Sequence, residues 1–141
     1  ILDELGIVEA IHFLCQEFEA RNKIACKTFL NVEFLDVERN FSIALFRIVQ
    51  EALTNVTRHA EATAVEVRLS IIEETLHLSI RDNGKGISEE AITDSGALGL
   101  VGLRERARFL NGKVNISGRP GKGTKVLVTV PIKQAYAVEQ D

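Results

Sequence analysis

Apolar positions recur at three- and four-residue intervals at the start of the chain. Ile7, Ala10, Ile11, Leu14 and Phe18 fall on one face of an amphipathic helix over about 7–21. The stretch Cys26 to Leu35 is rich in β-branched and aromatic residues and predicts a strand. Phe41, Leu45, Ile48, Val49, Ala52, Leu53 and Val56 restore the helical period over 41–60, with Asn40 or Ser42 placed to cap it. The period then drops to two. Val65, Val67, Leu69 and Ile71 alternate with polar residues, as do Leu76, Leu78 and Ile80, and the short polar link Glu73–Thr75 makes the two strands an antiparallel hairpin. A third helix follows over 100–111, with Leu103, Ala107 and Leu110 on one face and Gly112 as its stop. Val114 and Ile116 mark a short strand. A turn over 118–123 leads into a last strand through Val126, Val128 and Val130, closed by Pro131. Residues 133–141 read as a frayed tail.

Hairpins interleaved with helices predict a two-layer α/β sandwich, a mixed and mostly antiparallel sheet with helices on one face. Strands do not alternate regularly with crossover helices and no GxGxxG follows the first strand, which disfavours a Rossmann sheet. A chain of 141 residues fits one domain, read here as 1–132 plus the tail. With 45% hydrophobic and 26% charged residues it can bury about two-thirds of its unfolded surface, so no disulfide or metal staple is needed. Cys15 and Cys26 lack any zinc-type spacing and read as reduced core cysteines of a cytoplasmic protein. Seventeen basic against twenty acidic residues leave no basic footprint for nucleic acid. The longest nearly apolar stretch, Gly96–Leu103, has eight residues where a bilayer needs about 20, so no membrane contact is expected of this segment. No secretory start stands at Ile1–Ala10.

Glycine directs attention to candidate chemistry, because nine of the ten lie between Gly84 and Gly123. Upstream of them, Glu51, Asn55 and His59 form one slowly drifting stripe on the second helix, since each four-residue step advances only about 40° around the axis. A carboxylate and a carboxamide one turn apart are hard oxygen donors that can hold hydrated Mg²⁺ when a phosphate completes the set. The same pattern also suits a plain half-exposed helix. Asp82-Asn83-Gly84-Lys85-Gly86 lies where a buried strand emerges. It reads either as a turn or as a carboxylate that accepts a hydrogen bond from adenine's amine, with Gly84 and Gly86 letting backbone approach the ring. Gly96 to Leu103 is glycine-spaced chain leading into a helix N-terminus, either tight packing or a phosphate cradle of backbone N–H groups. Gly121-Lys122-Gly123-Thr124 reads as a hairpin turn, or places the Thr124 hydroxyl near the Asp82 contact. His12 and His77 read as ordinary core-edge or surface histidines.

In this order the segments resemble the ATP-binding catalytic domain of bacterial sensor histidine kinases, in the superfamily shared with gyrase, mismatch-repair and chaperone ATPases. The resemblance covers about Ile1 to Ile132. Phe46 to Ala60 is similar to the family's N box, Asp82 to Ile87 to its first glycine box, Gly99 to Arg106 to its second, and Gly121 to Thr124 to its third. It implies a Bergerat-type ATP-binding fold with ATP and Mg²⁺ as ligands. Asn55 would ligate Mg²⁺, Glu51 would position a metal-bound water or act as base, and Arg58 or His59 would touch phosphate. Asp82 would read adenine. Gly84, Gly86, Ile87, Gly99, Leu100, Val101, Gly102, Leu103 and Thr124 would line the nucleotide. The Gly-Leu-x-Gly-Leu-Arg-Glu-Arg form resembles the subfamily whose partner regulators carry a NarL/LuxR-type output, and Ile1–Gly6 resembles its link out of the dimerisation helices.

The resemblance implies γ-phosphoryl transfer to a histidine on the dimerisation domain of a longer kinase, a class that includes membrane-anchored members. No phosphoacceptor histidine stands here in the subfamily's context. The short span from Ile87 to Gly99 implies a short lid. Three alternatives remain at this stage: a self-contained ATPase in which Glu51 activates water, an anti-sigma-type serine kinase, and a nucleotide-sensing module that transfers nothing.

Overall fold

The computed structural model describes residues 2–86, 100–132 and 137–139. Helix α1 (Leu2–Asn22) is broken at Gly6, whose φ of 78° and ψ of 169° are non-helical, so a short turn joins the main helix at an angle. Only glycine takes that conformation without steric cost. From Ile7 onward the helix keeps the expected face: Ile7, Ile11, Cys15 and Phe18 are buried. Both cysteines are free, Cys15 buried and Cys26 partly so. A hydrogen bond with Cys26 and burial together push the Cys15 thiol well above its usual value.

The single strand predicted over 26–35 is two strands, β1 (Ala25–Leu30) and β2 (Val32–Leu35). Strand β1 runs parallel to β3 (Ala64–Ile72), from Ala25 opposite Ala64 to Leu30 opposite Leu69. The backbone N–H of Asn31 gives one more bond to the Leu69 carbonyl (2.8 Å). There β2 leaves the main sheet. It forms a separate two-stranded ribbon with β7 (Ala137–Glu139), so part of the stretch read as a frayed tail is paired strand. The residues from Lys133 onward are mostly polar or small, and local pattern gives them nothing to hold; the free edge of β2 supplies the partner.

Helix α2 (Arg39–Asn55) starts after Glu38 with no side-chain cap. Asn40 and Ser42 both lie inside it, and the Ser42 N–H bonds the Glu38 carbonyl (3.2 Å). The helix continues as a wide π turn over Val56–Ala60, which ends at Glu61 in the left-handed region (φ 54°). The predicted hairpin is β3 and β4 (Thr75–Asp82), with Ile72 opposite Thr75 and Val65 opposite Asp82. Its two-residue loop is Glu73-Glu74, both at positive φ (47° and 62°). Helix α3 (Leu100–Phe109) and strands β5 (Lys113–Gly118) and β6 (Thr124–Pro131) complete the chain.

The main sheet has the order β1-β3-β4-β6-β5, parallel only between β1 and β3. The helices pack against one another in the order α1, α2, α3 and against this sheet. Period-two burial fixes which face meets them: Val65, Val67 and Leu69 of β3, Leu76, Leu78 and Ile80 of β4, and Val128 and Val130 of β6 are buried. The opposite face is polar. There Arg68 sits over the Phe29 ring at 4.1 Å and pairs with Glu66 at 3.3 Å. The fold is thus the two-layer, mostly antiparallel sandwich that the pattern predicts, consistent with the Bergerat type that the resemblance implies.

Candidate functional site

The alternation of β4 carries one step too far for an apolar core. Leu76, Leu78 and Ile80 point inward, and the next inward position is Asp82. At 8% exposure it is the one buried charged residue among those described. Burial pushes its carboxyl above the ordinary value of 3.8, while hydrogen bonds from the backbone N–H groups of Gly84 and Thr124 hold it partway down. The Gly84 bond to Oδ1 is 2.8 Å.

Asn83 holds this turn in place. Its Oδ1 accepts from the N–H groups of Thr63 (2.9 Å) and Ala64 (3.0 Å), and its Nδ2 donates to the Thr63 hydroxyl (2.9 Å). The Lys85 N–H then bonds the Ala60 carbonyl at 2.6 Å, tying the loop to the end of the π turn. Gly84 passes so close to that carbonyl that a Cβ would collide with it. Gly123, at φ +81°, likewise approaches the Asp82 carbonyl with no room for a side chain. Asp82–Gly86 is thus a turn, and the same turn leaves the Asp82 carboxylate at the wall of a cavity.

A cavity of about 220 Å³ opens in front of Asp82. Asn55 and His59 line it from the end of α2 and the π turn, Leu100 from the start of α3, and Thr124 from the start of β6. Gly86 stands at its edge. Val56, Ile80, Ile116 and Val126 supply apolar walls. Pockets for drug-sized ligands begin at about 300 Å³, so this volume suits one flat heterocycle better than a whole nucleotide. An acceptor-only carboxylate on an apolar slot selects a ring that carries an exocyclic amine.

The other expected site residues lie elsewhere. Arg58 is exposed, so of the pair Arg58 and His59 it is His59 that faces the cavity. Gly84 sits behind Asp82. Val101 is 42% exposed and Leu103 is fully buried in the core. Gly102 faces Glu51: a Cβ there would stand 2.8 Å from Oε2 and 3.0 Å from Oε1. The Glu51 carboxylate turns toward α3, where Oε1 accepts from Arg106 Nη2 at 3.1 Å. Ile87 and Gly99 fall outside the described residues, and so does the whole of the proposed lid between them. Sequence reasoning missed the apolar walls and Lys85, which also lines the cavity. Val56, Ile80 and Val126 carry the same periodic signal as core, so nothing in the pattern could have separated them. Lys85 sits within a quoted motif and had no assigned role.

Among the described residues no group of three His, Cys, Asp or Glu side chains is placed to hold a metal. Asn55 offers one hard oxygen donor at the helix end of the cavity, so a bound Mg²⁺ there would depend on oxygens brought by a phosphate ligand. A wider depression of about 640 Å³ lies between Asp36–Phe41, Phe109–Asn111 and Pro131–Ile132. Its charged groups, Asp36 and Glu38, are both acidic, and it contains none of the residues above.

An α/β sandwich whose sheet, helix end and glycine turns enclose a buried aspartate defines a nucleotide-binding class of domain. The sequence profile described as "Histidine kinase-, DNA gyrase B-, and HSP90-like ATPase" matches residues 41–134, a span that contains every cavity residue named here. The chain belongs to this ATPase family. It is 34% identical to the signal transduction histidine-protein kinase/phosphatase DegS of Brevibacillus brevis and 36% identical to the sensor histidine kinase LiaS of Bacillus subtilis, in each case over 93% of the chain. It spans about a third of those proteins' lengths (34% and 36%). The histidine kinase domain of the Erythrobacter litoralis EL346 blue-light activated histidine kinase shares the fold at a TM-score of 0.77, with 24% identity, over 91% of this chain and 62% of that one. Among the described residues no helix is long and apolar enough to cross a membrane.

Proposed function

We propose that this chain is the catalytic domain of a cytoplasmic-facing sensor histidine kinase that binds Mg²⁺-ATP and passes the γ-phosphoryl group to a histidine on its own dimerisation domain. The observation that carries the reading is the buried Asp82 carboxylate at a base-sized apolar slot that Asn55 and His59 also line. Adenine's amine donates to Asp82, and the Thr124 hydroxyl at the same end of the slot bonds the ring edge directly or through a water. Asn55 and His59 then face the phosphate end. Asn55 would hold Mg²⁺ together with phosphate oxygens, and the ion, when bound, supplies charge neutralisation for the transferring phosphoryl group. Phosphoryl transfer needs positioning more than covalent help, which fits a site without a strong nucleophile. The partners proposed are the dimerisation domain and a NarL/LuxR-type response regulator, supported by the Gly-Leu-Val-Gly-Leu-Arg-Glu-Arg stretch at 99–106. No nucleic acid is among them.

Calorimetry with ADP and GDP, with and without Mg²⁺, tests this on wild type and Asp82→Ala. Wild type is expected to prefer ADP. The substitution, which removes a hydrogen bond to a charged group worth about 1.5–3 kcal/mol, is expected to weaken ADP about 10- to 150-fold. Equal affinity for the guanine nucleotide, or an unaffected variant, overturns the adenine assignment.

A further inference from the structure

Glu51 precedes Asn55 by one helical turn, yet it does not line the cavity. Its carboxylate lies over the gap left by Gly102 and meets Arg106, one turn further along α3. Gly102 and Arg106 share a face at i, i+4 spacing, so α3 offers a notch followed by a cation. The contact is a single one, Nη2 to Oε1 at 3.1 Å, with side chains 37% and 34% exposed. Glu51 Oε2 and Arg106 Nε are both buried and without a partner.

A pair selected only for stability would close the fork and satisfy both atoms, because a buried donor or acceptor left unmade is costly. Here one donor and one acceptor stay unspent side by side, the kind of local violation that accompanies function. Helix α3 also begins at Leu100, a wall of the cavity. The same short helix therefore walls the ligand slot and holds the carboxylate.

We propose that Arg106 is a positioning residue: it fixes the Glu51 carboxylate in the Gly102 notch, so that α3 sets where Glu51 stands when phosphoryl transfer occurs. This rests on the kinase reading above. Because the observed contact is single, a lysine ammonium reproduces it, which it would not do for a bidentate fork. A methyl group at 102 evicts the carboxylate without removing the charge.

The test measures autophosphorylation kcat and KM for ATP in the kinase that carries this chain, for wild type, Arg106→Gln, Arg106→Lys and Gly102→Ala. ADP calorimetry and thermal melts on the same proteins report folding. Arg106→Gln and Gly102→Ala are expected to lower kcat about 10- to 100-fold. KM for ATP and ADP affinity stay within about twofold, the signature of an interaction that matters in the transition state. Arg106→Lys is expected to recover most of the rate. In the chain studied here, the ¹³C carboxyl resonance of Glu51 is expected to move in Arg106→Gln and return in Arg106→Lys. The inference is overturned by an Arg106→Gln variant at wild-type rate, by a loss that follows melting temperature with lysine no better than glutamine, or by an unmoved Glu51 resonance. A wild-type kinase that binds ATP and transfers nothing would instead sink the functional reading, while the Glu51 resonance would still decide the role of Arg106.

Discussion

Asp82 couples the stability of the fold to pH through its proton. Its pKa in the fold lies above the ordinary 3.8, because burial disfavours the charged form more than the Gly84 and Thr124 N–H groups favour it. The folded state therefore holds the proton more tightly than the unfolded chain. The stabilisation this gives the empty domain is complete below 3.8 and is lost as pH rises through the raised value. On the adenine reading proposed above, binding would run the other way, since the ionised carboxylate is the stronger acceptor for an amine. Urea melts of the empty protein are expected to show Asp82→Asn gaining on wild type as pH climbs through that window. ADP affinity of wild type is expected to rise over the same range. A stability difference that stays flat with pH would show that Asp82 is not titrating in the fold. Most of this was legible in the sequence, where an aspartate stands at the end of an alternating strand before Asn-Gly. That Asn83 fastens the turn was not, because its three hydrogen bonds go to Thr63 and Ala64, about twenty residues away.

Elements with a clean period were read closely. Strands β3 and β4, with eight register pairs, follow directly from alternation, and α3 from a single face of Leu103 and Ala107. The reading failed where two elements share one composition. Asn31 separates β1 from β2 by backbone geometry that the β-branched and aromatic composition of 26–35 does not signal. The cap of α2 failed for a related reason, since Asn40 and Ser42 are favourable cap types but the chain enters the helix two to four residues earlier, at Glu38. The β3–β4 loop shows a further conflict. A two-residue hairpin loop with both central residues at positive φ is best served by Asn-Gly, and this chain uses Glu73-Glu74. The left-handed region costs a side-chain-bearing residue about 1–2 kcal/mol. Replacing the loop by Glu73→Asn with Glu74→Gly is expected to stabilise the domain by about 1–2 kcal/mol, read as a higher urea midpoint with unchanged slope and unchanged ADP affinity. No gain would mean that the two glutamates already sit without strain.

Over the whole molecule, helices and sheet join through the inward faces, and the candidate site occupies the end of that seam. Five segments between Ala52 and Val126 meet there, so no single stretch of sequence could display the cavity. What the sequence did display was the order of the segments. The ribbon of β2 and β7 is a second long-range feature, joining residues about a hundred positions apart. Local composition at 137–139 is silent about it. Val138→Pro places a residue that cannot donate to the ladder opposite Phe34 and is expected to cost about 1 kcal/mol in thermal or urea melts, with increased self-association as the β2 edge opens. An unchanged melt would show the ribbon contributes nothing to the fold.

The wide turn at Val56–Ala60 makes length, rather than composition, the guarded quantity in this part of the chain. Its final carbonyl latches the Lys85 N–H, and its fourth residue is His59. Losing one residue anywhere inside it would swing everything downstream about 100° around the helix axis. The latch and the histidine would leave together, however conservative the residues that remained. The exposed positions Thr57 and Arg58 can therefore change in letter, while an insertion or deletion displaces the cavity residues Val56, His59 and Ala60 together.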